Sequence, residues 1–383
     1  MKRNYIAKRF QNAGSGLTLD TEALAKYKDI IDLSIGDTDF ITDEGIINAA
    51  FRDAKAGYTR YGDPKGDPEL IDAVCRAWQE DFEQKLPHDH VLVSASSCLG
   101  MALVMFSILD PGDEVIVFSP YFPMYRTQIE LAGGVCVDVP TYASEDYAID
   151  EARLRAAITP RTKAIIFNNP TNPTGMAYGN DTLEMLARVA KEYDLLIAAD
   201  EIYTTYLYVG DFRPLRTLPG MAERTITLNS FSKNFLMTGW RVGVIIAEPE
   251  LLEVMNDING SLIYTAPSIS QRAAIHALSM RREIREKYVT AYRDRIFYTA
   301  DRIEKIPYLS LVRPKGTFYL FPGIEKTGLT DDEFCNVLLD KAHVLVSHGK
   351  AFGTAGAGHF RIACTVGIDT LKIAFDRMEK LSF

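Results

Sequence analysis

A lysine lies among hydroxyl groups near the middle of the chain, in the run Ser-Phe-Ser-Lys from Ser230 to Lys233. Arg241 follows in the sequence Gly-Trp-Arg and adds a guanidinium. A lysine is a nucleophile only after its ammonium loses a proton, and a neighbouring cation favours that loss by like-charge repulsion. Arg241 could repel the Lys233 ammonium while its guanidinium binds a phosphate. Lys233 is therefore a candidate for holding a phosphorylated cofactor with a carbonyl group, although a lysine beside serines at a turn is more often an ordinary solvated residue.

Composition limits the classes of protein to which the chain can belong. It has 383 residues, 47% of them hydrophobic, without an apolar run of 18 residues, which predicts one large domain with a smaller one and no membrane span. A net charge of -9 without a cluster of lysine and arginine disfavours a nucleic-acid partner. No apolar signal-peptide core follows the basic start of the chain, so we expect a cytoplasmic protein.

Cysteines and histidines give little indication of metal or disulfide chemistry. The five cysteines are scattered and form no Cys-x-x-Cys pair, which predicts reduced thiols. His88 and His90 flank Asp89, but no further ligand cluster lies nearby and an apolar strand follows directly. We therefore expect no metal site.

Short β-branched apolar runs alternate with helical patterns through the middle of the chain, which indicates an α/β fold with a mostly parallel, doubly wound sheet. The sequence predicts a helix after Pro68 and a second helix whose start carries a capping box, Asp181 to Glu184. It also predicts a strand from Leu195 to Ala199. The charged stretch from Arg281 to Lys305 predicts a long helix. Short strands are predicted after it, around Leu309 to Val312 and Phe318 to Phe321. We place a large domain at 46–275 and a smaller α+β domain at 276–383. The N-terminal segment, 1–45, is expected to join the smaller domain.

Four predicted strands are followed by residues that could bind a ligand. Because ligands of open parallel sheets bind beyond the carboxyl ends of the strands, these positions are the first candidates for a binding site. The small residues 94–100 open a helix whose amides can hold a phosphate, and 119–125 supply aromatic rings that can stack on a flat ring. Asn168 to Gly175 form a rigid turn that presents amide side chains, and Asp200 and Tyr203 follow the fourth strand.

The order of these features resembles the class I and II pyridoxal-phosphate aminotransferases of fold type I, and the likeness covers nearly the whole chain. Five landmarks carry it: Gly36 to Phe40, Asn169 to Gly175, Asp200 to Tyr203, Ser230 to Lys233 and His359 to Ile362. The resemblance implies that the cofactor is pyridoxal 5'-phosphate. It also implies that an amino group passes between an L-amino acid and a 2-oxo acid.

Catalytic roles follow from the matching positions. Lys233 matches the lysine that bonds to the cofactor and later moves the substrate proton, and Asp200 matches the aspartate that pairs with the pyridine nitrogen. An aspartate at the end of a strand would by itself be taken for a structural cap. Asn172 and Tyr203 match the pair that hydrogen-bonds to the cofactor oxygen O3'.

The resemblance also implies which residues bind the phosphate of the cofactor and which one covers the face of its ring. Ser230, Arg241 and the amides of Ser97 and Cys98 match the phosphate-binding groups. Phe122 matches the aromatic that stacks on the pyridine, whereas Tyr121 and Tyr125 are as consistent with the core or the rim. Many relatives have a glycine where this chain has Ser96, which implies a slightly different loop.

The substrate carboxylate is expected at Arg361 as a bidentate pair, with Gly36 leaving room beside it. In this family a tyrosine of a second subunit reaches the phosphate, which implies a homodimer with active sites at the interface. Tyr61 has the matching spacing, and Tyr58 is near enough to be confused with it. The stretch Gly353 to Gly358 indicates a turn or lid rather than a nucleotide-binding loop.

Substrate identity and two rival functions stay open at this point. Some aspartate-specific relatives have a lysine where this chain has Cys98, so specificity for dicarboxylates is in doubt, and Leu17, Tyr121 and Cys98 suggest a pocket that tolerates apolar groups. A carbon-sulfur β-lyase of the same fold would use the same Lys233, but such lyases tend to carry histidine in place of Tyr203. A PLP-binding effector domain of a transcription regulator is disfavoured because only about thirty residues precede Asp32.

Overall fold

The computed structural model describes Tyr5 and residues 27–383. Leu17 and most of the predicted N-terminal segment lie outside the described residues. The strands of the described part are β1 Ile31–Asp32, β2 Val91–Ser94, β3 Glu114–Ser119, β4 Val135–Pro140, β5 Thr162–Asn168, β6 Leu196–Asp200, β7 Thr225–Ser230, β8 Gly243–Ile246, β9 Tyr319–Leu320, β10 Val344–Leu345, β11 Ser347–His348 and β12 Phe360–Ala363. Its α-helices are α1 Glu44–Lys55, α2 Pro68–Phe82, α3 Ser97–Ile108, α4 Met124–Leu131, α5 Glu151–Ala157, α6 Asn180–Glu192, α7 Phe231–Asn234, α8 Pro249–Leu262, α9 Ser268–Ser279, α10 Arg281–Ile303, α11 Asp331–Val337 and α12 Ile368–Met378.

Seven of the described strands form one sheet in the order β2-β8-β7-β6-β5-β3-β4. The pairs from β4 through β7 are parallel, while β8 runs antiparallel to both β7 and β2. This arrangement confirms the predicted mostly parallel α/β sheet. Because β2 points the same way as β3, β5, β6 and β7, the carboxyl ends of these five strands meet at one edge, and the candidate residues follow those ends.

Local sequence signals account for some helix boundaries better than others. Asp67 caps α2 by accepting a hydrogen bond from the Glu69 amide, Pro68 occupies the first turn, and the apolar face from Leu70 to Trp78 is buried, as predicted. The predicted capping box at Asp181 is wrong, because α6 already begins at Asn180 after Gly179 and has no side-chain cap. Asp181 instead lies inside the first turn, where its charge complements the helix dipole.

A second group of elements packs beside the large sheet. β11, β12 and β9 form an antiparallel sheet, and β1 pairs with β10 in parallel, which joins residues 31–32 to the C-terminal part. Leu33 belongs to the same apolar cluster as Ile296, Phe360 and Phe375. The predicted strand around 309–312 is reduced to a single bridge between Ser310 and Gly323. The domain limits of 1–45, 46–275 and 276–383 stay a prediction.

The segment from Gly36 to Thr42 forms hydrogen bonds both with α10 and with the turn that precedes β8. Asp39 accepts two hydrogen bonds from the guanidinium of Arg295 in α10, at 2.7 and 2.9 Å. Trp240 donates its indole N–H to the Thr42 hydroxyl at 3.1 Å. These contacts fix the backbone around Gly36 next to the edge where the strands end.

Among the described helices, none is both long enough and apolar enough to cross a bilayer.

Candidate active site

A cavity of about 450 Å³ opens where β2, β3, β5, β6 and β7 end. Eleven of the twelve predicted site residues line it, the exception being Tyr61. They come from five strand ends, from the segment around Gly36, from the turn before β8 and from β12, which are far apart along the chain. The roles assigned to them stay predictions, but the fold brings the eleven side chains and backbones to one place.

Asp200, at the end of β6, is a buried carboxylate of which one oxygen, Oδ1, lacks a hydrogen-bond partner among the described residues. Its Oδ2 accepts a hydrogen bond from the Tyr125 hydroxyl, whereas Oδ1 has no partner among the described residues. Burial raises the pKa of Asp200 to about 6, while the hydrogen bond from Tyr125 and the nearby backbone N–H of Ile202 lower it. A buried oxygen that lacks a donor is costly, so a cationic or N–H group of a ligand would be stabilised there.

Tyr125 is a site residue whose role the sequence did not reveal. It lies in the first turn of α4, is 3% exposed, and contacts Phe122 edge to face with ring centroids 5.6 Å apart. Three aromatics occur between Ser119 and Tyr125, and spacing alone does not distinguish the one that supports Asp200 from the others. Phe122 is the half-buried member that lines the cavity beside it.

The turn after β5 connects Asp200 with the arginine of β12. The Asn168 side chain donates to the Asp200 backbone carbonyl at 2.9 Å and accepts from the backbone N–H of Asn172 at 2.8 Å. The side-chain oxygen of Asn172 accepts from Nη1 of Arg361 at 3.0 Å. With its oxygen engaged in this way, Asn172 retains its amide protons as donors to a ligand.

Arg361 is a buried guanidinium without a counter-charge among the described residues. It is 3% exposed, and its partners are all neutral: Asn172, the Ser34 carbonyl and the Ser347 hydroxyl. Its Nε has no partner in the described part of the chain. Burial lowers the pKa of Arg361. Because an uncompensated buried charge is unfavourable, this position favours an anionic group of a ligand.

Lys233 lies in the short helix α7, which Ser230 begins by accepting a hydrogen bond from the Ser232 amide at 3.1 Å. The Lys233 ammonium donates to the carbonyl of Gly36. A Cβ atom at Gly36 would collide with the Tyr319 hydroxyl, so the backbone there approaches the site as only a glycine allows. Tyr203 is 2% exposed, and its hydroxyl lies 3.2 Å from that of Tyr319.

The N-terminus of α3 and Arg241 form the other end of the cavity. The amides of Ser97 and Cys98 have no acceptor among the described residues, while the Ser97 hydroxyl is occupied by the Asn229 carbonyl at 2.6 Å. Arg241 is exposed and donates from Nη1 to the Thr238 carbonyl at 2.7 Å. Free amides at a helix start and a guanidinium beside them are suited to a phosphate.

The two candidate interface tyrosines differ in their surroundings. Tyr61 is 83% exposed and contacts Tyr264 edge to face at 5.1 Å. Tyr58 is 42% exposed, and its ring is covered by the guanidinium of Arg272 at 4.1 Å. Tyr61 is thus the freer of the two to contact another molecule, and it lies outside the cavity of its own chain.

Comparisons with known proteins agree with this geometry. The family model described as aminotransferase class I and II matches residues 28–378. The chain is 37% identical to an aspartate aminotransferase of Pyrococcus abyssi, over 93% of this chain and 92% of that protein. It is 36% identical to aromatic-amino-acid aminotransferase 2 of Thermococcus litoralis, over 92% and 91%. The solved structure of Thermus thermophilus aspartate aminotransferase with maleate superposes with a TM-score of 0.93 at 32% identity, covering 99% of this chain and all of that one.

Proposed function

Since the chain belongs to the class I and II aminotransferases, we propose that the cavity around Lys233 binds pyridoxal 5'-phosphate to move an amino group between an L-amino acid and a 2-oxo acid. The observation that carries this proposal is the unpartnered Oδ1 of buried Asp200. A protonated pyridine nitrogen would satisfy that oxygen and neutralise the carboxylate. The bound cofactor supplies the electron sink for the reaction, and the carboxylate keeps its ring protonated.

The remaining residues bind and orient. The amide protons of Asn172 and the hydroxyl of Tyr203 would donate to the phenolic oxygen, since burial raises the pKa of Tyr203 and keeps its proton in place. The Ser97 and Cys98 amides, Ser230 and Arg241 would hold the phosphate. Phe122 would cover the ring face. Lys233, whose side-chain nitrogen donates to the Gly36 carbonyl, would carry the proton between the substrate α-carbon and the cofactor.

The charges in the cavity support a substrate with a neutral side chain. Among the described residues that line the cavity, the lysines and arginines are Lys233, Arg241 and Arg361. The first two are assigned to the cofactor, and Arg361 to the substrate α-carboxylate. Cys98 and Ile35 also line the cavity and add no charge. Within one subunit, the described lining therefore offers no further cation to a second carboxylate, and the screen below compares neutral amino acids with aspartate and glutamate.

The cofactor assignment is tested by absorbance after loading with pyridoxal 5'-phosphate and removal of excess. The native protein should retain a visible band that borohydride abolishes, and the cofactor should then stay attached irreversibly because the double bond to Lys233 is reduced to a single bond. Lys233→Ala should lose the borohydride-fixed label, whereas Lys163→Ala, a half-exposed lysine at the start of β5 and outside the cavity, should retain it. A native protein that never binds pyridoxal phosphate would contradict the proposal.

Reaction type and substrate are tested in one screen. Single amino acids are mixed with the loaded enzyme, and conversion to the pyridoxamine form is followed beside release of pyruvate, ammonia and thiol. Conversion without release is the expected result. Rapid pyruvate release from cystathionine or cystine would instead indicate the β-lyase reaction.

We also propose a homodimer in which the partner's Tyr61 reaches the phosphate. Support comes from a set of large apolar side chains that are 48 to 83% exposed: Ile41, Phe51, Tyr61, Leu262 and Tyr264. Ile41 and Phe51 line one groove and Tyr61 contacts Tyr264, and contiguous exposed apolar side chains usually mark an interface. Sedimentation should show a dimer, and Tyr61→Phe should weaken retention of the phosphate cofactor more than Tyr58→Phe does. A monomer with full activity would contradict this arrangement.

The cysteines support a reducing compartment. All five are unpaired, and Cys75, Cys335 and Cys364 are buried. Structural disulfides are common in secreted proteins and rare in the cytosol. We therefore propose a cytoplasmic enzyme, which fractionation of the source cells would test.

A further inference from the structure

Tyr319 lies between the two groups to which the proposed function assigns the substrate and the cofactor. It belongs to β9, is 2% exposed, and was predicted only as part of a structural strand. Its ring faces the guanidinium of Arg361, 4.5 Å from the ring centroid, and its hydroxyl lies 3.2 Å from that of Tyr203. One side chain therefore contacts both the arginine for the carboxylate and the tyrosine for O3'.

The ring contact matters because Arg361 lacks a buried counter-charge. Phe352 contacts the same guanidinium, with its centroid at 4.9 Å. A cation beside aromatic faces is stabilised most strongly when water is excluded, and the planar guanidinium is then restricted to one orientation. The two rings thus fix the plane of Arg361, while Asn172 and the Ser34 carbonyl fix its rotation within that plane.

The hydroxyl contact has a direction that follows from counting protons. A phenol has one proton, so if Tyr203 donates it to the cofactor oxygen, its own oxygen must accept in the contact with Tyr319. Tyr319 is then the donor. A donor to the Tyr203 oxygen polarises that hydroxyl and strengthens the hydrogen bond it gives.

We propose that Tyr319 is a positioning residue that holds Arg361 for the substrate carboxylate through its ring and orders the Tyr203 proton toward the cofactor through its hydroxyl. The proposal rests on the proposed function. Its two halves depend on different atoms of one side chain, so two substitutions separate them. Tyr319→Phe removes only the hydroxyl, and Tyr319→Leu removes the ring as well.

The first test is a pH titration of the visible absorbance of the bound cofactor. In Tyr319→Phe, the weaker hydrogen bond from Tyr203 stabilises the oxyanion form of the cofactor less, so the pKa of the absorbance change should rise by about 0.5 unit. Tyr147→Phe is the matched control, because Tyr147 is buried and its hydroxyl has no partner among the described residues. It should leave the titration unchanged.

The second test measures saturation with L-alanine, whose α-carboxylate is its sole anion, in the single-turnover half-reaction. Tyr319→Leu should raise the concentration for half-saturation about tenfold, because Arg361 loses one aromatic face. Phe352→Leu should produce a similar increase without moving the absorbance titration. Tyr319→Phe keeps the ring and should change half-saturation less than twofold. Thermal unfolding of each variant checks that the fold is retained.

The outcomes separate this proposal from the one on which it depends. Native protein that binds pyridoxal phosphate and converts L-alanine, with both tests unchanged in the Tyr319 variants, would overturn the positioning role alone. Equal effects of Tyr319→Phe and Tyr147→Phe on the titration would also overturn it. Failure of the native protein to bind the cofactor would overturn the proposed function instead.

Discussion

At the scale of single residues, two adjacent carboxyl groups show how surroundings set chemical roles. Asp200 lines the cavity, accepts from Tyr125 and has a free oxygen, whereas Glu201 lies on the other side of the strand end and accepts from the Leu215 amide at 3.2 Å. Burial raises the pKa of Glu201 to about 8, and the neighbouring Asp200 adds to that rise. Glu201 is therefore a structural, mostly protonated group at neutral pH, while Asp200 is available to a ligand.

Glu201 makes the stability of the cofactor-free protein depend on pH. The native state keeps a proton that the unfolded chain releases above its ordinary pKa of 4.5, so this group costs stability as the pH rises from 4.5 toward 8. Glu201→Gln, which resembles the protonated side chain, should remove about 3 kcal/mol of that loss between pH 4.5 and pH 7. Urea unfolding at each pH measures it.

The control for this prediction is Glu184→Gln, at an exposed position of α6. It should leave the pH dependence of the unfolding free energy as in the native protein. Parallel curves for the native protein and Glu201→Gln would show that Glu201 does not retain its proton on folding.

At the scale of elements, the start of α3 bears a strained residue. Ser96 has φ 86° and ψ 153°, a conformation that glycine adopts readily and other residues rarely do. Its hydroxyl accepts from the Leu99 amide at 3.3 Å and caps the helix. This explains how a serine can occupy a position that suits glycine: the cap offsets part of the backbone strain while the Ser97 and Cys98 amides stay free.

Ser96→Gly should therefore stabilise the protein by about 1 kcal/mol, because relief of the strain exceeds loss of the cap. Ser96→Ala should destabilise it by about 1 kcal/mol, since alanine keeps the strain and lacks the cap oxygen. Chemical unfolding of both variants measures the difference. A Ser96→Gly protein less stable than the native one would show that the conformation is not strained.

At the scale of the whole molecule, a glycine contact joins the large sheet to the C-terminal part. The segment that begins at Gly353 docks on the end of β3: the Ala355 amide donates to the Ser119 hydroxyl at 2.9 Å, and the Tyr121 amide donates to the Phe352 carbonyl at 2.8 Å. The neighbouring Phe352 ring contacts Arg361. The predicted turn at Gly353 to Gly358 thus connects the two parts of the fold next to the carboxylate site.

Gly353→Ala should weaken this connection. A Cβ at this position would come within 2.7 Å of both the Ser119 hydroxyl and the Tyr121 ring, and φ is +98°. We expect a loss of about 3 kcal/mol in unfolding free energy and a higher half-saturation concentration for amino acids, because Phe352 shifts beside Arg361. Urea unfolding and the half-reaction measure the two effects.

Gly358→Ala is the matched control, since φ there is +75° but nothing lies within 4 Å of a Cβ. It should cost only the backbone strain, about 1 kcal/mol. Equal losses in the two variants would show that the contact with Ser119 and Tyr121 does not matter.

The sequence by itself determined the family, the type of sheet and most members of the site. Strand ends are visible as short apolar runs, and residues that follow parallel strands must share one edge, so Asp200 and Asn172 could be grouped from the sequence alone. The lysine and the arginine of β12 were placed by the resemblance of their motifs. These features depend on local pattern and chain order, which a sequence contains.

Tertiary structure alone decided which side chains touch. Spacing did not distinguish Tyr125 from Tyr121, or reveal that Tyr319 lies between Tyr203 and Arg361, because those contacts join residues 42 to 116 positions apart. The start of α6 was also missed, because the helix begins at Asn180, ahead of the cap signal at Asp181, without a side-chain cap. Contacts between distant residues depend on how the elements pack, and packing is a property of the whole fold rather than of any segment.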